Sequence, residues 1–160
     1  MNSKEFKNYF NDVAKLHGFE KAFGAWFKIS PECILVLELQ KSNYGDYYEM
    51  NVKIFIQGAF GYQYVKNKFL AKRDMGDIFT RQPKEFGDVL DFDIDMDDDL
   101  RIIKLENLFN EFIVPFAEKA LSISGIRELQ KEGIIFIMPA VEDEIRKLEN
   151  KWILKPLRIN

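Results

Sequence analysis

From Cys33 to Lys41 apolar and polar positions alternate along the chain. Cys33, Leu35, Leu37 and Leu39 fall on one side of an extended segment and Glu38 and Gln40 on the other, because successive side chains of a strand point to opposite faces. A cluster of turn formers, Ser42 to Asp46 with Gly45 among them, separates this run from a second one of reversed parity. There Tyr48, Met50, Val52, Ile54 and Ile56 share the apolar side, while Glu49, Asn51, Lys53 and Gln57 share the polar side. Opposed parities restrict the pairing, since a slip of one residue would turn the second strand inside out. One surviving register sets Leu39 opposite Met50 and Leu37 opposite Val52. The other sets Leu39 opposite Tyr48 and brings Glu38 against Glu49, an unfavourable like-charge pair on an exposed face. The first is therefore expected. It gathers Glu38, Gln40, Glu49, Asn51 and Lys53 into one polar patch on the outer face of the sheet, where the ordinary neighbour is water.

Ahead of this hairpin the pattern predicts a strand from Phe23 to Ser30, turned by Pro31, with Trp26 and Phe27 pointing to opposite faces. Ser3 is placed to cap a first helix whose apolar stripe is Phe6, Phe10, Val13 and Ala14 and whose end is Gly18. Beyond Gly58, the alternation of Phe60, Tyr62 and Tyr64 predicts a short strand, and Lys66 to Arg73 reads as a solvated loop or short helix. Asp77 to Arg81 and Asp88 to Asp95 read as two more strands around a turn at Gln82-Pro83-Lys84.

The helical period returns at Leu100 and continues through Ile103, Leu108, Phe112 and Phe116, widened by Leu105, Phe109 and Ile113. Pro115 is expected to kink or divide that helix. A short helix from Ile126 to Lys131 and a buried strand over Ile134 to Met138 follow. A last helix from Pro139 or Ala140 carries Val141, Ile145, Leu148 and Trp152 on one side, and an irregular tail begins at Ile153. The fold class is α+β, an antiparallel sheet of about five strands with helices packed on one face, as a single domain over residues 1–160.

Composition agrees with one substantial core: a chain of 160 residues with 15 Phe, 6 Tyr and 2 Trp has the apolar material for it. A net charge of −3, from 23 basic and 26 acidic residues, is mildly repulsive to phosphate backbones, so nucleic acid is not an expected partner. Cys33 is the one cysteine, which excludes an internal disulfide and suits a reducing compartment. No apolar run approaches the roughly 20 residues that span a bilayer, and the first residues lack an apolar signal segment. A cytoplasmic location away from membranes is the expectation.

Candidate chemistry is sparse. D-F-D-I-D-M-D-D-D over 91–99 places carboxylates at alternate positions, but a calcium loop would need glycine where Met96 stands and a bidentate acid where Ile102 stands. The acids are better explained as the outer edge of a strand leading into a helix capped by Asp97 or Asp98. His17, the one histidine, falls at a helix end with no nucleophile or metal ligand beside it. No phosphate-binding glycine loop, Cys/His metal spacing or nucleophile elbow is present. No catalytic residue, metal or cofactor is therefore expected.

The order of a first helix, Gly18-Phe19, a strand with Trp26-Phe27, then Leu39-Gln40-Lys41-Ser42 and Tyr48 with Asn51, resembles a bacterial family of small intracellular proteins known as a domain of unknown function, over residues 6–57. Lys53 stands where that family's pattern places glycine. The resemblance implies an immunity role against toxins for some members and draws attention to Gln40, Ser42 and Asn51, but it brings no catalytic residues.

Three functions follow. The first is a non-enzymatic binding module that meets a protein partner, such as a basic toxin, through the outer sheet face or through Asp93, Asp95 and Asp97. The second is a small-molecule or enzymatic site on Glu38, Gln40, Glu49, Asn51 and Lys53, which requires a concavity there. The third is self-association through exposed aromatic rings, with Trp26 or Phe27, Phe55, Phe60 and Tyr62 as candidates.

Overall fold

The computed structural model describes the backbone of residues 1–154 and the side chains of residues 1–151. Five strands lie in sequence order across one antiparallel sheet: β1 (Glu20–Ala22), β2 (Ala25–Ile29), β3 (Cys33–Lys41), β4 (Tyr48–Ile56) and β5 (Ile78–Arg81). β3 and β4 pair in the expected register, with Leu39 opposite Met50, Leu37 opposite Val52, Glu38 opposite Asn51 and Gln40 opposite Glu49. The helices are α1 (Ser3–Leu16), α2 (Lys68–Lys72), α3 (Asp98–Leu108), α4 (Val114–Ala120), α5 (Ile123–Lys131) and α6 (Pro139–Leu154). Among the described residues no helix is long and apolar enough to cross a membrane.

The inward parity of the two long strands builds the main core. Leu35, Leu37, Met50, Val52 and Ile54, joined by Trp26 and Ile78 from the neighbouring strands, pack against side chains of α1, α3, α4, α5 and α6. α1 opens one residue earlier than expected. The Asn2 side chain accepts from the Glu5 amide at 2.9 Å and the Glu5 carboxylate accepts from the Asn2 amide at 3.2 Å, a reciprocal cap that satisfies two otherwise unpaired donors. Phe6 and Phe10 then face Phe92, Trp26 and Phe109 across the core.

Several stretches differ from the reading of the sequence, each for a local reason. The strand expected from Phe23 is the second arm of a hairpin: Phe23 and Gly24 take φ of 54° and 74°, the mirror-image turn whose twist matches its flanking strands, and β1 folds back on β2. Phe60, Tyr62 and Tyr64 are not a strand, since Gly58 and Phe60 take positive φ and wind Ala59–Gly61 into a 3-10 turn. Asp88 to Asp95 is likewise not a strand. Its first residues finish a 3-10 segment (Lys84–Leu90), and Asp91 makes only an isolated bridge to Tyr47.

In α3 the expected Leu105 and Leu108 are buried, together with Arg101, but Leu100 and Ile103 at its start are exposed, so the buried stripe is narrower there than expected. A π-helical turn over Phe109–Ile113 joins α3 to α4, where Pro115, lacking a donor, occupies the first turn. Ile134 to Met138 is irregular, although Ile135 and Ile137 alternate into the core. Ile153 and Leu154 belong to α6; the expected tail beyond them and the Trp152 side chain lie outside the described residues.

The outer face departs furthest from expectation. Glu38, Asn51 and Lys53 are 7%, 5% and 3% exposed, so these three members of the polar patch are enclosed, while Gln40 stays exposed and Glu49 half-buried. Phe27, Ile34, Val36 and Phe55 share this face and require an apolar cover, which Leu70 and Ala71 of α2 provide. Gln57 secures the approach by bonding both backbone groups of Tyr64, at 2.9 and 2.6 Å, and the Tyr64 ring meets Phe55 edge-on at 5.1 Å. Trp26, Phe27 and Phe55, considered for an exposed aromatic surface, are all buried; Phe60 and Tyr62 are exposed.

Candidate functional site

The register of three strands aligns Arg81 of β5, Asn51 of β4 and Glu38 of β3 as one rank across the outer face. Asn51 connects them. Its amide nitrogen donates to Glu38 Oε1 at 3.1 Å and to Gln40 Oε1 at 2.8 Å, and its oxygen accepts from Arg81 Nε at 3.0 Å. Glu38 Oε1 also receives Lys53 Nζ at 3.0 Å. The other two protons of that ammonium meet the carbonyls of Leu70 at 3.3 Å and Ala71 at 3.1 Å, at the carbonyl end of α2. All three Lys53 donors are thus used, and a positive charge caps carbonyls that a helix end leaves unpaired.

Above this network lies a concavity of about 300 Å³. Glu38, Asn51 and Lys53 form its base and the exposed Gln40 stands at its mouth; Lys72, Arg73 and Arg81 are cations on its wall, and Phe79 and Met75 add apolar surface. Lys72 Nζ stands 4.0 Å from Glu38 Oε2 and donates to the Gly24 carbonyl at 3.1 Å. The Arg81 guanidinium lies 5.5 Å from the Phe79 ring centroid. Four of the five outer-face residues singled out from sequence therefore meet at one site. Glu49 does not join them: its carboxylate accepts from Gln82 at 3.1 Å. Arg81, Lys72 and Arg73 were missed. Inward Ile78 would have placed Phe79 and Arg81 outward by parity, but the partner strand of β5 was not legible.

A neighbouring groove of about 440 Å³ runs beside the 62–70 segment, lined by Tyr62, Tyr64, Val65 and Phe69. Below it the Tyr64 hydroxyl donates to Asp77 Oδ1 at 3.1 Å, and Asp77 Oδ2 accepts from the Ile56 amide at 2.8 Å. Burial holds the Asp77 carboxyl above its usual range, and burial together with the Asp77 charge raises the Tyr64 phenol. Burial also pushes the Cys33 thiol up to about 12, which makes it an inert part of the core.

The acidic residues form no comparable site. Asp93, Asp95 and Asp97 are all exposed, and Asp93 Oδ2 accepts from the Asp46 amide at 3.0 Å. Asp97 stands at the N-cap of α3 but makes no side-chain capping bond. Among the described residues, no group of three or more His, Cys, Asp or Glu side chains is placed to hold a metal ion. What shapes this segment is Arg101, only 3% exposed. Its guanidinium donates to the carbonyls of Asp88, Val89, Asp91 and Ile94 at 2.9 to 3.3 Å and lies 4.6 Å from the Phe92 centroid. His17 closes α1 and stacks on Phe109 at 5.8 Å, a packing position.

No curated protein and no solved structure matches the chain. The family model described as "Domain of unknown function (DUF4304)" matches residues 10–119, a span that includes the whole sheet, the enclosed polar network and the cations around it, and the chain belongs to that family.

Proposed function

We propose that the protein is a non-enzymatic binding module whose recognition site is the concavity on the outer sheet face. One observation carries this reading: a connected polar network of Glu38, Asn51 and Lys53 is enclosed at the base of a concavity whose wall holds further polar side chains. Removing two charges from water costs several kcal/mol per ion before their attraction offsets it. Apolar residues would close the same face more economically, so the network is better explained by what it positions than by stability. Lys53 has no unpaired donor and Glu38 Oε1 holds two partners, an arrangement suited to a rigid platform.

A ligand-observed NMR screen of small polar molecules against the parent and Gln40→Trp tests the site. Hits should lose their signal with the indole at the mouth. Hits that bind both proteins alike, or an empty screen, would remove the reading.

A protein partner is the second reading, favoured by the rigid presentation of Asp95 and Asp97 on a loop that Arg101 anchors. A basic toxin neutralised inside a bacterial cytoplasm fits those charges, and a buried, reduced Cys33 fits that compartment. Asp93, Asp95 and Asp97 changed together to Asn should weaken such a complex at low salt; an unchanged complex would exclude this surface.

A further inference from the structure

The binding reading says nothing about the ligand's charge, and the wall of the concavity does. With the mutually compensating pair Glu38 and Lys53 set aside, its charged side chains are Lys72, Arg73 and Arg81 against Asp74 alone. One Asp74 oxygen is occupied by the Gly76 amide at 2.8 Å. This is a locally positive site on a chain whose net charge is −3.

The cations are also unequal in how they are held. Arg81 is oriented twice, by Nε donating to Asn51 Oδ1 at 3.0 Å and by the Phe79 ring at 5.5 Å. Among the described residues its two terminal nitrogens make no hydrogen bond. A guanidinium held by Nε presents the remaining nitrogens as a planar fork, the geometry that pairs with two oxygens of one anion. Asn51 is in turn held by Glu38 and Gln40 through both of its amide protons, so the orientation of Arg81 is transmitted from the enclosed network.

Resting on the site assignment above, we infer that the ligand is a small organic oxyanion, a carboxylate or phosphate on a partly apolar body. Two of its oxygens pair with Arg81, Lys72 supplies the second positive charge, and the body lies against Phe79 and Met75. Glu38 Oε2, which has Lys72 Nζ at 4.0 Å, accepts a hydroxyl or amine proton from the same molecule. Such a ligand uses the fork, the second cation and the apolar wall together, whereas a bare inorganic anion leaves the apolar wall unused.

Titration of the full chain followed by 1H–15N NMR, reading the Arg81 Nε–Hε signal and the backbone amides of residues 72–75 and 79–81, tests this with four probes: benzoate, phenyl phosphate, benzyl alcohol and inorganic phosphate. Benzoate or phenyl phosphate should shift these signals with an affinity about tenfold or more above that of benzyl alcohol, consistent with a charge-assisted pair. Added salt should weaken both. Arg81→Lys, which keeps the charge and removes the fork, and Lys72→Gln, which leaves Arg81 in place, should each weaken the organic anions severalfold.

Carboxylate and phosphate ligands are separated by which of the two aromatic anions binds more tightly. If benzyl alcohol binds at the same amides as tightly as the anions, the charge class is wrong while the site survives. Shifts by inorganic phosphate equal to those by both aromatic anions would reduce the site to non-specific attraction and overturn the inference, as would an unaffected Arg81→Lys. Silence at these signals for every probe would remove the site itself.

Discussion

Lys53 carries an ammonium into the middle of a sheet at 3% exposure, and each of its three protons has an acceptor. Lys53→Met would leave Glu38 charged and enclosed with Asn51 as its remaining direct donor. Breaking a buried pair from one side costs about 3–5 kcal/mol, which urea unfolding would read as a lower midpoint. Glu38→Leu combined with Lys53→Met should recover only part of that loss, because the Asn51 amide proton that met Glu38 and the carbonyls of Leu70 and Ala71 are left without partners. Full recovery would mean that the network contributes nothing as a network.

Asp77 illustrates the opposite sign. Burial raises its folded pKa above the ordinary 3.8, so the folded state holds the proton more tightly than the unfolded chain does. The stability this contributes is present below 3.8 and is lost as pH rises through the folded value. Asp77→Asn keeps an acceptor for the Ile56 amide and a partner for the Tyr64 hydroxyl. It should match or exceed the parent's stability at pH 7, with the difference closing below pH 3.8. Urea melts at the two pH values decide it, and a variant clearly weaker at pH 7 would show that the carboxylate charge itself is needed.

At the scale of elements, α2 is a thin cover. It rests on a small apolar cluster of Ala25, Phe27, Ile34, Val36, Phe55, Leu70 and Ala71, separate from the main core. Leu70→Ala should lower stability by about 2 kcal/mol, the low end for a buried leucine because so small a cluster can partly collapse. The loss should appear in hydrogen exchange first at residues 67–73, and a uniform loss across the sheet would show that the cover does not open by itself.

α6 is held differently, by Arg127 of α5 reaching Glu142 and Glu149. The Arg127 bond holds the Glu142 carboxyl below its ordinary 4.5, so this stabilisation is present above pH 4.5 and fades as pH falls through the lower folded value. In acid, the protection of α6 amides relative to their intrinsic exchange rate should fall in the parent, while Arg127→Gln should show reduced protection already at neutral pH. α4 and α5 meet more tightly still. A Cβ on Gly125 would overlap the Lys119 carbonyl, so Gly125→Ala forces two helices apart and should cost about 3 kcal/mol, visible as a lower melting temperature.

At the scale of the whole molecule, the difference between reading and structure has a pattern. The β3–β4 register followed from alternation and one like-charge clash, and the sheet reproduces it residue for residue. The outer-face site was half legible: parity brought Glu38, Gln40, Asn51 and Lys53 together, but not the cations from β5 and α2. Evidence of a cover was nevertheless available. Ile34, Val36 and Phe55 lie on the same parity as Glu38 and Lys53, and a face with that much apolar surface is seldom left to water.

The acidic segment misled for the converse reason. D-F-D-I-D alternates like a strand, yet Arg101 gathers four of the nearby carbonyls toward one guanidinium, which takes them away from any ladder. Local alternation therefore decided which residues share a face and which partners oppose them, because both depend on the pleat of adjacent residues. Whether a face meets water, and which distant cations border it, was decided only when residues 62–81 folded back over the sheet. That arrangement is set by contacts between residues far apart in the chain, which no local pattern encodes.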